Sequence, residues 1–332
     1  MVEKINNLNF ALEKLKIKAS CIDYYQLYKC NCYELRLEST TTVKQIEKFS
    51  KEIALAIKEE SAPKVSLILE KGVVRLDFMK NIQDNINLYD YLNNKQMIND
   101  QVCPAFLGKS IYGEEICLEL LENPHLLISG CTGSGKSVAL HNIICNILNF
   151  TESQLFLIDP KMIEFSHYEK IKNVKVIYSY QESVKLLEDL ISLMENRFNI
   201  LKYGCNSSYI KPVFLVIDEF SDLSLQDSNK EFYNKLCKLA QKCRAAKISI
   251  ILSTQRPSAK LLDGNIKANF PARLSCKVAS AIDSKIILDE KGAEELSGRG
   301  DAILKCYKYD KVRFQIAYAN PEQTVKNLCH GN

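Results

Sequence analysis

The spacing of apolar residues along the chain changes in character near residue 90. Before it, short segments show either one apolar residue every three or four positions, which predicts helices, or strict alternation, which predicts half-buried strands. Two such segments on either side of Lys71 predict a hairpin. The predicted helices cover residues 8–15 and 43–58, and the predicted strands cover residues 33–38, 65–70 and 72–76. We expect a small α+β domain over residues 1–92.

A polar stretch over residues 81–101 is the expected domain boundary. Beyond it, short unbroken apolar runs alternate with longer segments of helical period. Most of these runs lack alternation, as expected of strands that are buried on both faces of a parallel sheet. They lie at residues 126–128, 155–158, 213–217 and 248–252. Strands separated by helices predict a doubly wound α/β domain over residues 93–332.

The composition is that of a folded protein and narrows the possible partners only slightly. Hydrophobic residues make up 46% of the 332 residues, and the formal net charge is +4, too small to establish a nucleic-acid partner. No apolar run is long enough for a membrane helix and the N-terminus has no signal core, so we expect a cytoplasmic protein. The 13 cysteines include no C-x-x-C pair, and the 4 histidines show no metal-ligand spacing. We expect reduced, mostly buried thiols.

The segment Gly-Cys-Thr-Gly-Ser-Gly-Lys-Ser follows an apolar run and opens a helical segment over residues 137–148. It fits the P-loop pattern G-x-x-x-x-G-K-[ST] in the context that this motif requires. Glycines let the backbone wrap a phosphate, and the helix N-terminus adds positive charge. We predict that ATP is bound by Gly130, Cys131, Thr132, Gly133, Ser134, Gly135, Lys136 and Ser137. Lys136 is expected to reach the β- and γ-phosphates, and the Ser137 hydroxyl to ligate Mg²⁺.

Two carboxylates follow the buried run at residues 213–217. Beside a P-loop, Asp218 is predicted to hold Mg²⁺ and Glu219 to act as the general base that polarises the attacking water. The run at residues 248–252 also leads into polar residues. Thr254 or Gln255 is expected to hydrogen-bond the γ-phosphate or the attacking water.

Several segments resemble the FtsK/SpoIIIE family of DNA translocases. They include Asp-Pro-Lys-Met-Ile-Glu-Phe at residues 159–165 and Ser-Thr-Gln-Arg-Pro-Ser at residues 253–258. Further matching segments lie at residues 239–246, 266–273, 282–289 and 292–301. The resemblance is strong over residues 104–320. It is weaker over residues 1–90, which resemble the small domain that precedes the motor in that family.

The resemblance implies a RecA-like P-loop NTPase motor with a mostly parallel sheet. Motors of this family form hexameric rings that thread double-stranded DNA through a central channel, with ATP between neighbouring subunits. Arg244 would be the arginine finger that reaches the neighbour's γ-phosphate. Arg256 and Lys267 match cations of one DNA-contacting loop, and Lys285 stands in a second loop where the family usually has arginine. Ala281 replaces a further family cation.

Two departures from the family pattern shape the expected biology. We expect neither a membrane anchor nor the winged-helix module, since few residues follow Ala319. A membrane or relaxase partner would then have to direct loading, as in a plasmid, phage or mobile-element motor. The alternatives are a coupling ATPase for conjugative transfer, a protein-secretion ATPase and a non-enzymatic assembly factor with a relic site. A relaxase gene nearby would favour the first alternative, and the presence of one P-loop argues against the second.

Overall fold

The structure is a computed structural model that describes residues 2–80, 86–93, 103–150, 153–204 and 206–330. The chain divides into two compact units. The first comprises Met1–Asp84 and Ile111–Glu114, and the second comprises Asn85–Ser110 and Glu115–Asn332. The expected boundary at residues 81–101 lies mostly outside the described residues.

An antiparallel sheet covered by helices forms the first unit. Its strands are β1 (Ala19–Gln26), β2 (Cys30–Leu37), β3 (Lys64–Ile68) and β4 (Val73–Met79), and its helices are α1 (Val2–Lys14), α2 (Val43–Lys48) and α3 (Ser50–Ala56). The strand order is β1-β2-β4-β3. The predicted hairpin is confirmed, because β3 pairs antiparallel with β4. The core between the sheet and the helices includes Leu8, Leu12, Tyr33, Ile46, Ile53, Leu76 and Phe78.

The single helix predicted over residues 43–58 is wrong. The chain forms two short helices that meet at Phe49, whose backbone (φ −98°, ψ 13°) leaves the α-helical region. The break lets Ile46 of α2 and Ile53 of α3 both enter the core. Since the apolar residues before and after Phe49 keep a helical period, the sequence pattern does not reveal the turn.

Among the described residues, the cysteine side chains are buried except for Cys117 and Cys131, which are half-buried. All 11 cysteines whose side chains the structure describes are free. Cys30 and Cys32 point to one face of β2, with their sulfur atoms 3.2 Å apart. Asp77 lies opposite Cys32 on β4, but its carboxylate accepts a hydrogen bond from Tyr112 at 2.9 Å and is paired with Arg75 at 3.0 Å. The carboxylate therefore already has two partners.

A ten-stranded sheet organises the second unit. Its strands are β5 (Pro104–Ser110), β6 (Glu115–Glu119), β7 (His125–Ser129), β8 (Gln154–Ile158), β9 (Val174–Ile177), β10 (Val213–Ile217), β11 (Ile248–Thr254), β12 (Ala272–Cys276), β13 (Asp301–Lys305) and β14 (Val312–Ile316). Its α-helices are α4 (Leu88–Leu92), α5 (Lys136–Phe150), α6 (Tyr180–Lys202), α7 (Phe220–Gln226), α8 (Glu231–Lys242), α9 (Gly264–Asn269), α10 (Ala281–Leu288) and α11 (Pro321–His330). Short 3-10 helices lie at Ser166–Lys170, Ser207–Tyr209 and Ala293–Glu295.

The strand order is β6-β5-β14-β13-β12-β7-β11-β10-β8-β9. The six strands from β12 to β9 run parallel, which confirms the predicted α/β fold with a mostly parallel sheet. The remaining four strands are antiparallel to their neighbours. The sequence pattern did not predict this antiparallel extension.

Apolar cores cover both faces of the large sheet. Helices α6, α7 and α8 contribute to one core and α5 contributes to the other. The four predicted strands are consecutive in the sheet, in the order β7-β11-β10-β8, and every residue of β7, β10 and β11 is buried. Among the described residues, we find no helix with the length and apolar character needed to cross a bilayer.

Candidate nucleotide-binding and catalytic site

The strand order brings the predicted site residues together at one edge of the sheet. Strands β7, β11, β10 and β8 are parallel neighbours, so their carboxyl ends meet at the same edge. The P-loop follows β7, and the acidic pair follows β10. Strand β11 lies between them, which places the polar residues at its end between the P-loop and the acidic pair.

Close backbone packing fixes the shape of the P-loop. Gly133 and Gly135 adopt positive φ angles of 75° and 107°, which favour glycine. A side chain on Gly135 would meet the backbone nitrogen of Gly300 at 2.5 Å. The Gly300 amide donates to the Ser134 carbonyl at 2.8 Å, and the Arg299 amide donates to the Gly133 carbonyl at 3.3 Å. The loop therefore rests on the segment that leads into β13.

Lys136 is the first residue of α5 and is almost fully buried, with 4% of its surface exposed. Its ammonium group donates to Asp218 Oδ1 at 2.5 Å and to the Ser253 hydroxyl at 3.2 Å. Burial raises the pKa of Asp218, and Lys136 opposes that rise. The P-loop lysine and the acid after β10 thus contact each other directly and are close enough to share one phosphate and metal site.

Glu219 is buried and held by four neighbouring donors. Its carboxylate accepts hydrogen bonds from the Ser221 hydroxyl at 2.7 Å, the Thr254 hydroxyl at 2.9 Å and the backbone amide of Gln255 at 3.1 Å. The ammonium group of Lys161 lies 4.0 Å away. The Gln255 side chain accepts a hydrogen bond from the Thr132 hydroxyl at 3.3 Å, so it reaches the P-loop. The end of β11 therefore connects the predicted base with the predicted phosphate site.

Sequence reasoning missed Glu164, which contacts the P-loop directly. The Ser137 hydroxyl donates to Glu164 Oε1 at 2.7 Å, and His141 Nε2 lies 3.5 Å from Oε2. The neighbouring His141 ring and Ser137 hydroxyl hold the pKa of Glu164 at about 2, so the carboxylate is charged at neutral pH. The available signal was the segment at residues 159–165, which resembles the family and contains Glu164 without giving it a role.

The side chains around Lys136 fit a magnesium nucleotide. Mg²⁺ prefers oxygen ligands in proteins and usually keeps several waters. The Ser137 hydroxyl and the Asp218 carboxylate offer such oxygens at the N-terminus of α5, and the Glu164 carboxylate accepts the proton of that hydroxyl. The buried ammonium group of Lys136 and the backbone amides of the P-loop offer donors to phosphates.

Arg244 lies at the opposite edge of the sheet. It is exposed and follows α8 at the amino end of β11. Burial lowers the pKa of His125, the first residue of β7, and the charge of Arg244 lowers it further, which places Arg244 near that end of the sheet. Strand β11 has seven residues and therefore separates Arg244 from the P-loop edge by about 20 Å. Arg244 does not join the site of its own chain.

The three predicted DNA-contacting cations fall in two places. Arg256 is exposed just beyond the carboxyl end of β11, and its amide donates to the Thr254 hydroxyl at 3.2 Å. Lys267 on α9 forms an ion pair with Asp289. Lys285 is exposed on α10, one turn before Asp289. Arg256 thus lies at the same edge of the sheet as the P-loop, whereas Lys267 and Lys285 both lie near Asp289.

The sheet order, the P-loop and the acidic pair define a RecA-like P-loop NTPase fold. Solved structures support this class. The conjugation coupling protein TcpA of pCW3, in its monomer form with ATPγS, has a TM-score of 0.69 and 22% identity, covering 98% of this chain and 99% of that one. The cytoplasmic domain of the Type VII secretion ATPase EccC from Thermomonospora curvata has a TM-score of 0.63 and 21% identity, covering 74% of this chain and 34% of that one.

The sequence comparisons identify the family. Residues 87–208 match the model of the FtsK/SpoIIIE family. The DNA translocase FtsK of Chlamydia pneumoniae is 34% identical over 330 residues, covering 90% of this chain and 41% of the relative. The DNA translocase FtsK of Campylobacter jejuni strain 81-176 is 34% identical over 322 residues, covering 91% and 34%. The chain belongs to the FtsK/SpoIIIE family and spans well under half the length of these relatives.

Proposed function

We propose that this chain is an ATP-hydrolysing motor that moves double-stranded DNA. The observation that carries the proposal is the direct contact of Lys136 with Asp218, beside a Glu219 carboxylate that is already oriented. These side chains supply the phosphate contact, the metal ligand and the base that phosphoryl transfer to water needs. The curated relatives named DNA translocase FtsK supply the choice of DNA as the moved polymer.

Each residue of the site would have one role in hydrolysis. When the nucleotide binds, the ammonium group of Lys136 leaves Asp218 and contacts the β- and γ-phosphates, and the P-loop amides bind the same phosphates. Ser137 and Asp218 hold Mg²⁺, which neutralises developing charge when bound. Glu219 accepts a proton from the attacking water. Gln255, anchored at Thr132, contacts the γ-phosphate or that water and changes position when the phosphate leaves.

Movement follows from the connection between Glu219 and Arg256. The Gln255 amide binds Glu219, and Arg256 is the next residue, so a change at the γ-phosphate is transmitted to an exposed cation. Arg256, Lys267 and Lys285 would contact DNA phosphates, which carry no sequence information. A motor that must run over any sequence needs contacts of this kind.

We further propose a homohexameric ring with ATP at each subunit interface. The position of Arg244 supports this arrangement, because it lies about 20 Å from its own P-loop and can complete the site of a neighbouring copy. A guanidinium there neutralises charge in the transition state. The ring would act in the cytoplasm, where ATP and DNA are both available.

A second candidate is a coupling ATPase in conjugative DNA transfer. It is favoured by the likeness to TcpA, since the two chains cover each other almost completely and share the fold of both units. The chemistry of the site would be the same. Specific binding to a relaxase would distinguish this candidate from a motor that acts on DNA alone.

The decisive experiment measures phosphate release with and without duplex DNA. We expect duplex to stimulate turnover, and Glu219→Gln to reduce it by about 10³-fold while ADP binding persists, because a positioned base contributes this much. Lys136→Ala is expected to abolish both binding and turnover. Lys185→Ala, on the exposed face of α6, is the matched control. Full turnover in the Lys136→Ala protein, or no response to duplex, would contradict the proposal.

A further inference from the structure

The contact between Glu164 and Ser137 points to a role for a residue outside the P-loop and the acidic pair. Ser137 and His141 lie one turn apart on α5, so they face the same direction. Glu164 approaches both, with one carboxylate oxygen 2.7 Å from the Ser137 hydroxyl and the other 3.5 Å from the His141 ring. The carboxylate therefore spans the first turn of the helix that presents the phosphate site.

The backbone leaves Glu164 little freedom to point elsewhere. Asp159, at the end of β8, is fully buried and accepts hydrogen bonds from the amides of Lys161, Glu164 and Phe165. These bonds close the 159–165 loop on itself. Phe165 is also fully buried, and its ring lies 6.4 Å from the His141 ring. Both ends of the loop are thus fixed, and the Glu164 side chain is directed onto α5.

The hydrogen-bonding chemistry of serine explains how the Glu164 carboxylate would help the Ser137 hydroxyl to ligate a metal. A serine hydroxyl has one proton and two lone pairs. When it ligates Mg²⁺, a lone pair must face the ion and the proton must point away from it. A carboxylate that accepts this proton fixes the hydroxyl in the ligating orientation and makes the oxygen more basic. Partners of metal ligands commonly act in this way.

We propose that Glu164 is a positioning residue for Mg²⁺ and acts through the Ser137 hydroxyl. This inference rests on the proposed function, because it assumes that the P-loop binds a magnesium nucleotide. Glu164 would not favour nucleotide binding without the metal, because its negative charge lies near Lys136 and Asp218 and repels a phosphate there. It would strengthen binding only when Mg²⁺ is present.

The test compares ADP binding by calorimetry in EDTA and across a Mg²⁺ series. We expect that Glu164→Gln does not weaken the affinity in EDTA, whereas it weakens the Mg²⁺-dependent enhancement by about 10-fold, the usual effect of losing such a partner. Glu169→Gln is the matched control. Glu169 lies in the 3-10 helix that follows Glu164, and its carboxylate accepts a hydrogen bond from Tyr178 rather than from Ser137. Circular dichroism and thermal unfolding verify that each variant is folded.

A double-mutant cycle separates action through Ser137 from a direct effect. In the Ser137→Ala background, Glu164→Gln should cause no further loss of the Mg²⁺ enhancement, because the coupled pair is already broken. An equal further loss would overturn the inference, and so would a Glu164→Gln protein with the wild-type enhancement or with reduced affinity in EDTA. If the wild-type protein fails to bind ADP under either condition, the proposed function itself fails.

Discussion

At the carboxyl ends of the parallel strands, the side chains proposed to handle the nucleotide are buried and joined to one another, whereas Arg244 at the amino ends is exposed. Lys136, Asp218 and Glu219 are each 1% to 4% exposed and bonded to neighbours in the same chain. The proposed arginine finger lies about 20 Å away. The side chains at the carboxyl ends are thus held in place within one chain, whereas the exposed Arg244 is accessible to a second molecule.

The largest expected effect comes from removing the exposed arginine. Arg244→Ala should reduce DNA-stimulated ATP hydrolysis by at least about 10³-fold, as loss of an arginine finger does, while ADP affinity stays at the wild-type level. Phosphate release and calorimetry measure the two quantities. Lys242→Ala, at the end of α8, is the control.

Mixing two inactive variants tests whether the P-loop of one molecule and Arg244 of another form one active site. Arg244→Ala and Lys136→Ala proteins should each be inactive, yet a mixture should recover part of the turnover. Recovery is expected because some interfaces then pair an intact P-loop with an intact arginine. If the mixture remains as inactive as its components, the two edges do not meet across an interface.

The next effect concerns His125, the buried group at the amino edge. Burial lowers its pKa from 6.5 to about 4, so the unfolded chain binds a proton that the folded chain excludes. Its contribution to stability is therefore present above pH 6.5 and is lost as pH falls toward 4, by about 2 kcal/mol between pH 7.5 and pH 5. Urea unfolding should show a flatter pH dependence for His125→Asn. An unchanged slope would show that folding does not change the pKa of His125.

The smallest effects concern the cations near Asp289. Lys285→Gln should weaken duplex binding modestly and reduce the slope of log affinity against log salt by about 1. Lys267→Gln should have a smaller effect, because Lys267 already shares Asp289 with Arg273. Lys185→Gln serves as the control. If the salt slope is equal in the Lys285→Gln, Lys267→Gln and Lys185→Gln proteins, Lys267 and Lys285 do not contact DNA phosphates.

The sequence predicts the parallel half of the large sheet well, because its strands are unbroken apolar runs bounded by motifs. The P-loop and the acidic pair follow two of these runs, and their meeting requires only that parallel carboxyl ends share an edge. The prediction does not specify the strand order. That order is what places Ser253, Thr254 and Gln255 between Lys136 and Glu219.

Other features depend on contacts that no local pattern encodes. Glu164 reaches Ser137 because Asp159 folds the intervening loop, and the sequence shows Glu164 only as part of a family match. The antiparallel strands β13, β14, β5 and β6 bring together segments from distant parts of the chain. The break at Phe49 lets Ile46 and Ile53 both enter the core of the first unit, and this burial outweighs the continuous helical period of the sequence.

The packing of Gly300 against Gly135 makes the phosphate loop depend on chain that is synthesised much later. The loop is bonded through Ser134 to the residue that precedes β13, and no side chain fits between the two glycines. On the ribosome, the P-loop therefore lacks this support until Arg299 and Gly300 have emerged. By then nearly all of the second unit has been made.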